Sequence, residues 1–154
     1  MARGAPDWTG RINIALQELA EVTIRNKYGG GESACYAGTV KANDITELFS
    51  IAGKGVIYGG FITVQSTGTQ RDDEQWLWID GSQMSPHTFY EMNRFNLTGP
   101  TGPIPYLVCY DDENFLYAVQ FFFGYTFETS CVVKYSEKHG RTPTVIAFFD
   151  YALV

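Results

Sequence analysis

The stretch LFSIAGKGVIYGGFITVQSTGTQRDDEQWLWID, from Leu48 to Asp80, decides the fold. It reads as a strand, a glycine turn, a long strand, a polar loop and another strand. Gly53 and Gly55 suit the turn because glycine adopts positive φ without steric cost. The pair Gly59 and Gly60 predicts a bulge or a close backbone approach inside the long strand.

The rest of the chain repeats this pattern of short apolar strands and turn residues. Turn signals recur about every 8–12 residues, a spacing typical of an antiparallel sandwich or barrel. About eight strands are predicted, over residues 35–40, 44–51, 56–64, 75–80, 106–110, 115–123, 127–135 and 143–154. The sequence therefore predicts one all-β, antiparallel β-sandwich domain over residues 34–154.

Residues 1–33 are predicted to form a separate amino-terminal segment. Its apolar residues fit either a short helix over residues 12–21 or an extended arm, and the Gly29–Gly31 run ends either one. The segment covers one end of the sandwich or reaches a neighbouring subunit, and the sequence leaves both open. A second ambiguous stretch, Thr88 to Phe95, fits a short strand or a turn of helix.

The chain is acidic, and its basic residues are scattered. Its 154 residues include 17 Asp and Glu against 11 Lys and Arg, for a formal net charge of −6. Nucleic-acid binding draws on clustered basic side chains, so no nucleic-acid partner is predicted. No apolar run reaches the ~18 residues that a membrane helix needs, and the first residues lack the apolar core of a signal peptide. No membrane association is therefore predicted.

Three cysteines, Cys35, Cys109 and Cys131, occur without a CxxC spacing. An odd count without that spacing argues against a disulfide framework and against a zinc site. Each cysteine lies among apolar residues, so each is predicted to be a buried small hydrophobe. This usage fits folding in a reducing cytoplasm, and no cofactor is predicted.

Two acidic runs, Asp72–Glu74 and Asp111–Glu113, are candidates for cation binding or for acid–base chemistry. Loop carboxylates can gather Ca²⁺, with Asp72, Asp73, Asp111 and Asp112 as the weak candidates here. Neither run has EF-hand spacing, and consecutive residues of a strand point to opposite faces. Solubilising turns are therefore favoured over a calcium site and over a glycosidase-like carboxylate pair.

Trp76 and Trp78 are two residues apart in a predicted strand, so they share one face of the sheet. Two exposed indoles on one face would form a platform on which a sugar stacks. Leu77 and Ile79 make the other face equally apolar, which favours burial in the core or in a subunit interface. The exposure of the two indoles distinguishes these interpretations.

The two histidines, His87 and His139, lie in polar, loop-like contexts. A catalytic triad needs a histidine beside a nucleophile, and no GxSxG elbow is present. No HxxxH spacing, GxGxxG motif or Walker motif occurs either. The sequence therefore predicts no catalytic residue, and surface turns account for both histidines.

Some predicted strands are apolar on both faces, as in Phe121–Phe123 and Ile146–Phe149. A strand of a monomeric sandwich is expected to present one polar face to water. The extra apolar residues require a second cover, which the amino-terminal segment or another copy of the chain supplies. A homo-oligomer is favoured, and its predicted interface residues are Phe121, Phe123, Phe148 and Phe149.

The run from Leu48 to Gly60, the polar loop after it, and Trp78–Gly81 resemble small β-sandwich structural proteins of tailed-bacteriophage virions. The ending, with Lys138–Gly140 and Tyr151–Leu153, is similar in style. The resemblance implies a jelly-roll-like sandwich that assembles, often as a trimer, on the head or tail surface. It also implies attachment through a terminal arm to another virion protein, such as a major capsid or tail protein.

The function expected from these observations is that of a non-enzymatic virion structural protein. It would be an accessory or decoration component of the head or tail, assembled in the bacterial cytoplasm and located in the virion. A carbohydrate- or receptor-binding module that uses Trp76 and Trp78 is the first alternative. A β-sandwich hydrolase is the second, and it would require two carboxylates, or a histidine with a partner, in one pocket.

Overall fold

The computed structural model describes residues 31–84, 87–99, 105–121 and 124–154. These residues form two antiparallel sheets that pack face to face as an all-β sandwich, as predicted. The first sheet holds β1 (Glu32–Thr39), β3 (Gly55–Gln65), β7 (Tyr106–Asp111), β8 (Leu116–Phe121), β9 (Tyr125–Phe127) and β11 (Thr144–Leu153). The second holds β2 (Ile45–Ala52), β4 (Glu74–Ile79), β5 (Ser82–Gln83), β6 (His87–Thr88) and β10 (Ser130–Ser136).

The order of the strands is that of a jelly roll. The first sheet runs β1-β11-β3-β8-β7, with β9 paired to β3, and the second runs β2-β10-β4-β5, with β6 paired to β4. The first four strands therefore alternate between the sheets. The last two long strands, β10 and β11, insert between them, one in each sheet. This interleaving of two sheets is the arrangement expected for a jelly roll.

The glycine pair in β3 has the backbone role that its sequence predicted. The register between β3 and β11 shifts at this point, because Asp150 pairs with Gly59 whereas Tyr151 pairs with Ile57. Gly60 faces the interior, and a Cβ at this position would overlap the ring of Phe149. The absent side chain therefore lets a core phenylalanine pack directly on the strand.

A short helix, α1 (Phe89–Arg94), settles the ambiguous stretch after β6. Its N-cap Thr88 accepts a hydrogen bond from the Glu91 backbone N–H, and the Glu91 side chain accepts one from Thr88 N. This reciprocal capping box satisfies two otherwise free donors and fixes where the helix begins. Phe89 and Met92 anchor the helix in the core.

The core lies between the two sheets and is rich in aromatic residues. Phe149 is fully buried and contacts Phe49 and Phe121, with ring centroids 5.0 and 4.9 Å apart. Phe89 stacks on Tyr117 at 5.0 Å, so α1 closes one side of the same core. The predicted strands match the eight long strands to within a few residues, whereas the short β5, β6 and β9 were not predicted.

The predicted helix over residues 12–21 and the division at residue 33 concern the amino-terminal segment, most of which lies outside the described residues. The description begins at Gly31, one residue before β1. β1 forms an edge of the first sheet and pairs with β11 along its full length. Within the described residues, the first strand of the sandwich starts at Glu32, and the predicted boundary at residue 33 stays a prediction.

Candidate functional site

The outward side of the first sheet, here called the apolar face, carries apolar side chains together with uncharged polar ones on five neighbouring strands, and two acids. Register and alternating burial assign these residues to it: Ser33, Cys35, Ala37, Thr39, Gly59, Phe61, Thr63, Gln65, Tyr106, Cys109, Asp111, Leu116, Ala118, Gln120, Thr144, Ile146, Phe148 and Asp150. Among these described positions, charge occurs only at the two ends, at Asp150 and Asp111.

Large apolar side chains at the middle of this face are open to solvent. Phe61 is 41% and Ile146 44% exposed, and Val108, at a bulge in β7, is 59% exposed. Phe61 stacks on Phe148, with ring centroids 6.0 Å apart. A groove of 260 Å³ lies beside these two rings, with Gly59 and Gly60 among its lining residues. These residues are neighbours on one surface, and contiguous exposed apolar residues mark interaction sites more often than scattered single ones do.

The predicted interface residues fall on different sides of the first sheet. Phe148 lies on the apolar face, as an interface residue must. Phe121 and Phe149 are 1% and 0% exposed, so they belong to the core and are not on a docking surface. Phe123 lies outside the described residues. Phe61, which the sequence reasoning did not select, lies beside Phe148, and the available signal was that Phe61 shares its side of the strand with the polar Thr63 and Gln65.

The outward side of the second sheet, here called the charged face, is defined by Glu47, Glu74, Trp76, Trp78 and Lys134. Lys134 Nζ lies 5.4 Å from the centroid of the Trp78 ring and 4.0 Å from Glu47 Oε2. The Trp76 indole N–H donates to Glu74 Oε2 at 2.9 Å. The indoles of Trp76 and Trp78 are therefore contacted by long charged side chains from β4 itself and from the neighbouring β10.

The two tryptophans share a face, as their spacing predicted, with ring centroids 6.5 Å apart and planes tilted by 49°. Both are half-buried, so they form neither an open platform nor part of the core. The tilt and the lysine over Trp78 leave no flat pair of rings on which a sugar could stack. The Trp78 indole nitrogen is itself buried without a hydrogen-bond partner.

One end of the sandwich holds two buried carboxylates, Asp73 and Glu137. Asp73 accepts hydrogen bonds from the Tyr135 hydroxyl and from Lys138 N, the latter at 2.9 Å. Gln70 is fully buried between the two acids, and its amide nitrogen donates to Asp73 and, at 3.2 Å, to Glu137 Oε1 when its amide is oriented to satisfy both ends. These bonds tie the loop after β3 to the end of β10.

Glu137 holds the loop between β10 and β11 together. Its carboxylate accepts from the backbone N–H groups of His139, Gly140 and Arg141 at 2.8, 3.0 and 3.0 Å, and from Asn43 N at 2.6 Å. Burial raises the pKa of Glu137, but the backbone hydrogen bonds outweigh burial, so the pKa lies below its ordinary value. Its oxygens are occupied by protein donors, which fits a role in fixing loops.

Asp73 differs from Glu137 in its titration. Burial raises its pKa from 3.8 to about 7, against the hydrogen bonds from Tyr135 and Lys138, which lower it. The nearby charges of Glu137 and Asp72 raise the pKa further. A raised carboxyl pKa is a property shared by catalytic acids and by buried structural acids. Here the carboxylate is fully buried, so this geometry supports the structural role.

The remaining calcium candidates are also engaged in loop contacts. Asp112 accepts from Thr69 Oγ1 at 2.7 Å and from the Tyr117 hydroxyl. Asp111 accepts from the backbone and side chain of Asn114, at 2.9 and 2.8 Å. Within the described ranges, no group of three or more His, Cys, Asp or Glu side chains is arranged to hold a metal ion.

Asp80 is an anchor that the sequence reasoning placed at the end of a predicted strand. Its carboxylate accepts from the backbone N–H groups of Glu128, Thr129 and Ser130, at distances between 2.7 and 3.1 Å. These bonds lower the pKa of Asp80 to about 2. The residue has φ of 50°, and its side chain fixes the turn between β9 and β10 against the end of β4.

The two histidines lie apart. His87 begins β6 and pairs with Gln75, whereas His139 lies in the loop after β10, with its Nε2 3.6 Å from Asp72 Oδ2. The cysteines also differ from expectation: Cys131 is buried, but Cys109 is half-buried and Cys35 is exposed on the apolar face. The prediction of burial was wrong for Cys35 because its strand lies at a sheet edge with its outer side uncovered.

Comparisons with known proteins give no family for the chain. No family model matches it, and no curated protein matches it significantly. In the part of the chain that the structure describes, no helix is long and apolar enough to cross a bilayer. The arguments about function therefore rest on the two outer faces and on the loop end of the sandwich.

Proposed function

We propose that the chain is a non-enzymatic structural protein of a tailed-phage virion, an accessory or decoration component of the head or tail surface. It acts through oligomeric assembly and through attachment to another virion protein. The observation that carries this proposal is the apolar face, on which Phe61, Ile146 and Phe148 lack the charged cover of the second sheet. The jelly-roll order of the strands agrees with the resemblance stated above.

Burial of apolar area supplies the energy for such assembly, at about 25 cal/mol per Å² removed from water. The described polar side chains support the same proposal, because the buried carboxylates of Asp73 and Glu137 hold loops together. A protein that acts by adhesion needs rigid loops and an uncovered surface, and both features are present here. The attachment partner and the position on the virion stay open.

The two alternatives lack a specific observation in their favour. A carbohydrate-binding module would present open indoles, whereas Lys134 covers Trp78 and Glu74 binds the indole N–H of Trp76. A hydrolase would need two accessible carboxylates, and Asp73 and Glu137 are 0% and 2% exposed. The first alternative remains an outcome of the test below, and neither is preferred.

The proposal is tested on virions of a phage whose genome encodes this chain. Particles purified through a density gradient are digested and analysed by quantitative mass spectrometry. We expect the chain at a fixed stoichiometry to the major capsid or tail protein. Its absence from particles that contain those proteins would contradict the proposal. A glycan array with the full chain checks the first alternative in parallel.

A further inference from the structure

The apolar face is large enough to support a specific contact between two proteins. Its five strands, about 4.8 Å apart, and its outward residues, about every 6.8 Å, give a flat footprint of roughly 24 Å by 20 Å. Two such faces in contact bury about 1,000 Å², the size of a small, weak interface between two proteins. Chance contacts between proteins are smaller and poorly packed.

The distribution of charge favours a second copy of the chain as the partner. The chain carries a net charge of −6, so two copies repel each other over most of their surfaces. The middle of the apolar face is neutral, and its described charges, Asp150 and Asp111, lie at opposite ends. A second copy is therefore repelled least when this face meets the same face. A partner with a basic surface would instead be drawn to the acidic remainder of the molecule.

The shape of the face is suited to pairing with itself. The exposed ring of Phe61 projects beside a groove of 260 Å³ that Tyr58, Gly59, Gly60 and Phe148 help to line. The Phe61 ring and the groove beside it lie on one surface, so an isologous contact about a two-fold axis uses both features on each copy. Thr63 lies on β3, the middle strand of the five, and in the middle row of the face.

We propose that two copies of the chain pair face to face through their apolar faces, about a two-fold axis that passes near Thr63. The pairing rests on the proposed function, because it names a second copy of the chain as the partner of the surface through which assembly occurs. It differs from the trimer that the resemblance implies, because an isologous contact closes with two copies. Both copies carry a net charge of −6, so added salt screens their mutual repulsion and should tighten the pair.

The test uses a symmetric disulfide in the full chain. Cys35 and Cys109 are replaced by alanine, and Thr63→Cys is added, while the buried Cys131 stays. A residue near a two-fold axis lies close to its own copy, so mild oxidation should link Thr63→Cys into a covalent dimer. Ser50→Cys, on the charged face, is the matched control and should stay unlinked.

Sedimentation velocity of the unmodified chain, from low to high micromolar concentration, gives the second readout. The proposal expects a shift to twice the monomer mass, with salt favouring the larger species. A chain that stays monomeric, a particle of three copies, or an oligomer in which Thr63→Cys does not link to itself would overturn the pairing. The mass spectrometry of virions is independent of these results. The pairing can therefore fail while the proposed function stands, and the proposed function can fail while the pairing stands.

Discussion

The two outer faces of the sandwich follow the same strand alternation but end in opposite surfaces. On the charged face, Lys134 and Glu74 cover the indoles of Trp78 and Trp76. On the apolar face, Phe61 stacks on half-buried Phe148 and is itself 41% exposed, with no charged side chain of the described residues over the two rings. Aromatic content alone therefore does not identify a docking face. The side chains that cover the rings decide whether apolar area is left for a partner.

The largest effect should follow from a charge at the middle of the apolar face. Ile146→Asp places a carboxylate where the proposed pair excludes water, and burying that charge costs several kcal/mol. We expect association to weaken by at least about 100-fold, or roughly 3 kcal/mol, in sedimentation velocity. Folding should be retained because Ile146 is 44% exposed. Ser50→Asp, on the charged face, is the control, and equal behaviour of the two variants would contradict the contrast.

Truncation of one aromatic residue on each face should give opposite patterns. Trp78→Ala removes a half-buried ring that packs within its own sheet, so the free energy of unfolding should fall by about 2 kcal/mol. Phe61→Ala, at a position that is 41% exposed, should change the free energy of unfolding by less than about 1 kcal/mol and weaken association instead. Chemical denaturation of dilute samples measures the first quantity, and light scattering measures the second. Two variants that lose stability and association alike would remove the distinction between the faces.

The end of the sandwich that holds Asp73 and Glu137 allows a test of stability against pH, and this test should not affect the apolar face or the charged face. Between about pH 4 and pH 7 the folded chain holds a proton on Asp73 that the unfolded chain has released, since the pKa rises from 3.8 to about 7. This stabilisation is complete below 3.8 and is lost as the pH rises through about 7. We expect the free energy of unfolding to fall by about 2 kcal/mol between about pH 5 and pH 8.

Asp73→Asn should remove most of that pH dependence, because the amide keeps an acceptor for Lys138 N and stays neutral. The pKa of Glu137 is lowered from 4.5, so its titration affects stability only below about pH 4.5. The pH range of the measurement therefore reports on Asp73. Denaturant titrations at several pH values make the measurement. An Asp73→Asn variant with the pH dependence of the unmodified chain would show that another group is responsible.

The smallest effect should come from removing the cover on the charged face. Lys134→Ala takes away a cation over the Trp78 ring and an exposed ion pair with Glu47. Such contacts contribute about 0.5–1 kcal/mol, so unfolding should change by no more than that. The emission of tryptophan should shift to longer wavelength as Trp78 gains contact with water. An unshifted spectrum would mean that Lys134 does not cover the ring in solution.

Much of the fold follows from the sequence, because turn residues and strand periods are local. The eight long strands, the turn at Gly53–Gly55, the backbone role of the glycine pair and the common face of Trp76 and Trp78 were all predictable. These features depend on residues that are neighbours in the chain. The boundaries of strands differ by a few residues, as expected when the last ladder bonds depend on partners elsewhere.

The inward and outward sides of Phe148 and Phe149 were not predictable. Both residues are apolar, so a period of two cannot say which one faces the core until the pairing with β3 is known. The bond network of Asp73 and Glu137 was hidden for a related reason. Their donors come from Asn43, Tyr135 and the loop after β10, and some of these are more than 60 residues away in the chain.

Side-chain footprinting by hydroxyl radicals tests the central claim most directly, because it reports on both faces in one sample. The full chain is oxidised at low and at high concentration, and the modified residues are quantified by mass spectrometry. The account predicts that Phe61, Phe148 and Cys35 become protected as concentration rises, while Trp76 and Trp78 keep the same reactivity. Protection of the two tryptophans with unchanged oxidation of Phe61 and Phe148 would contradict it.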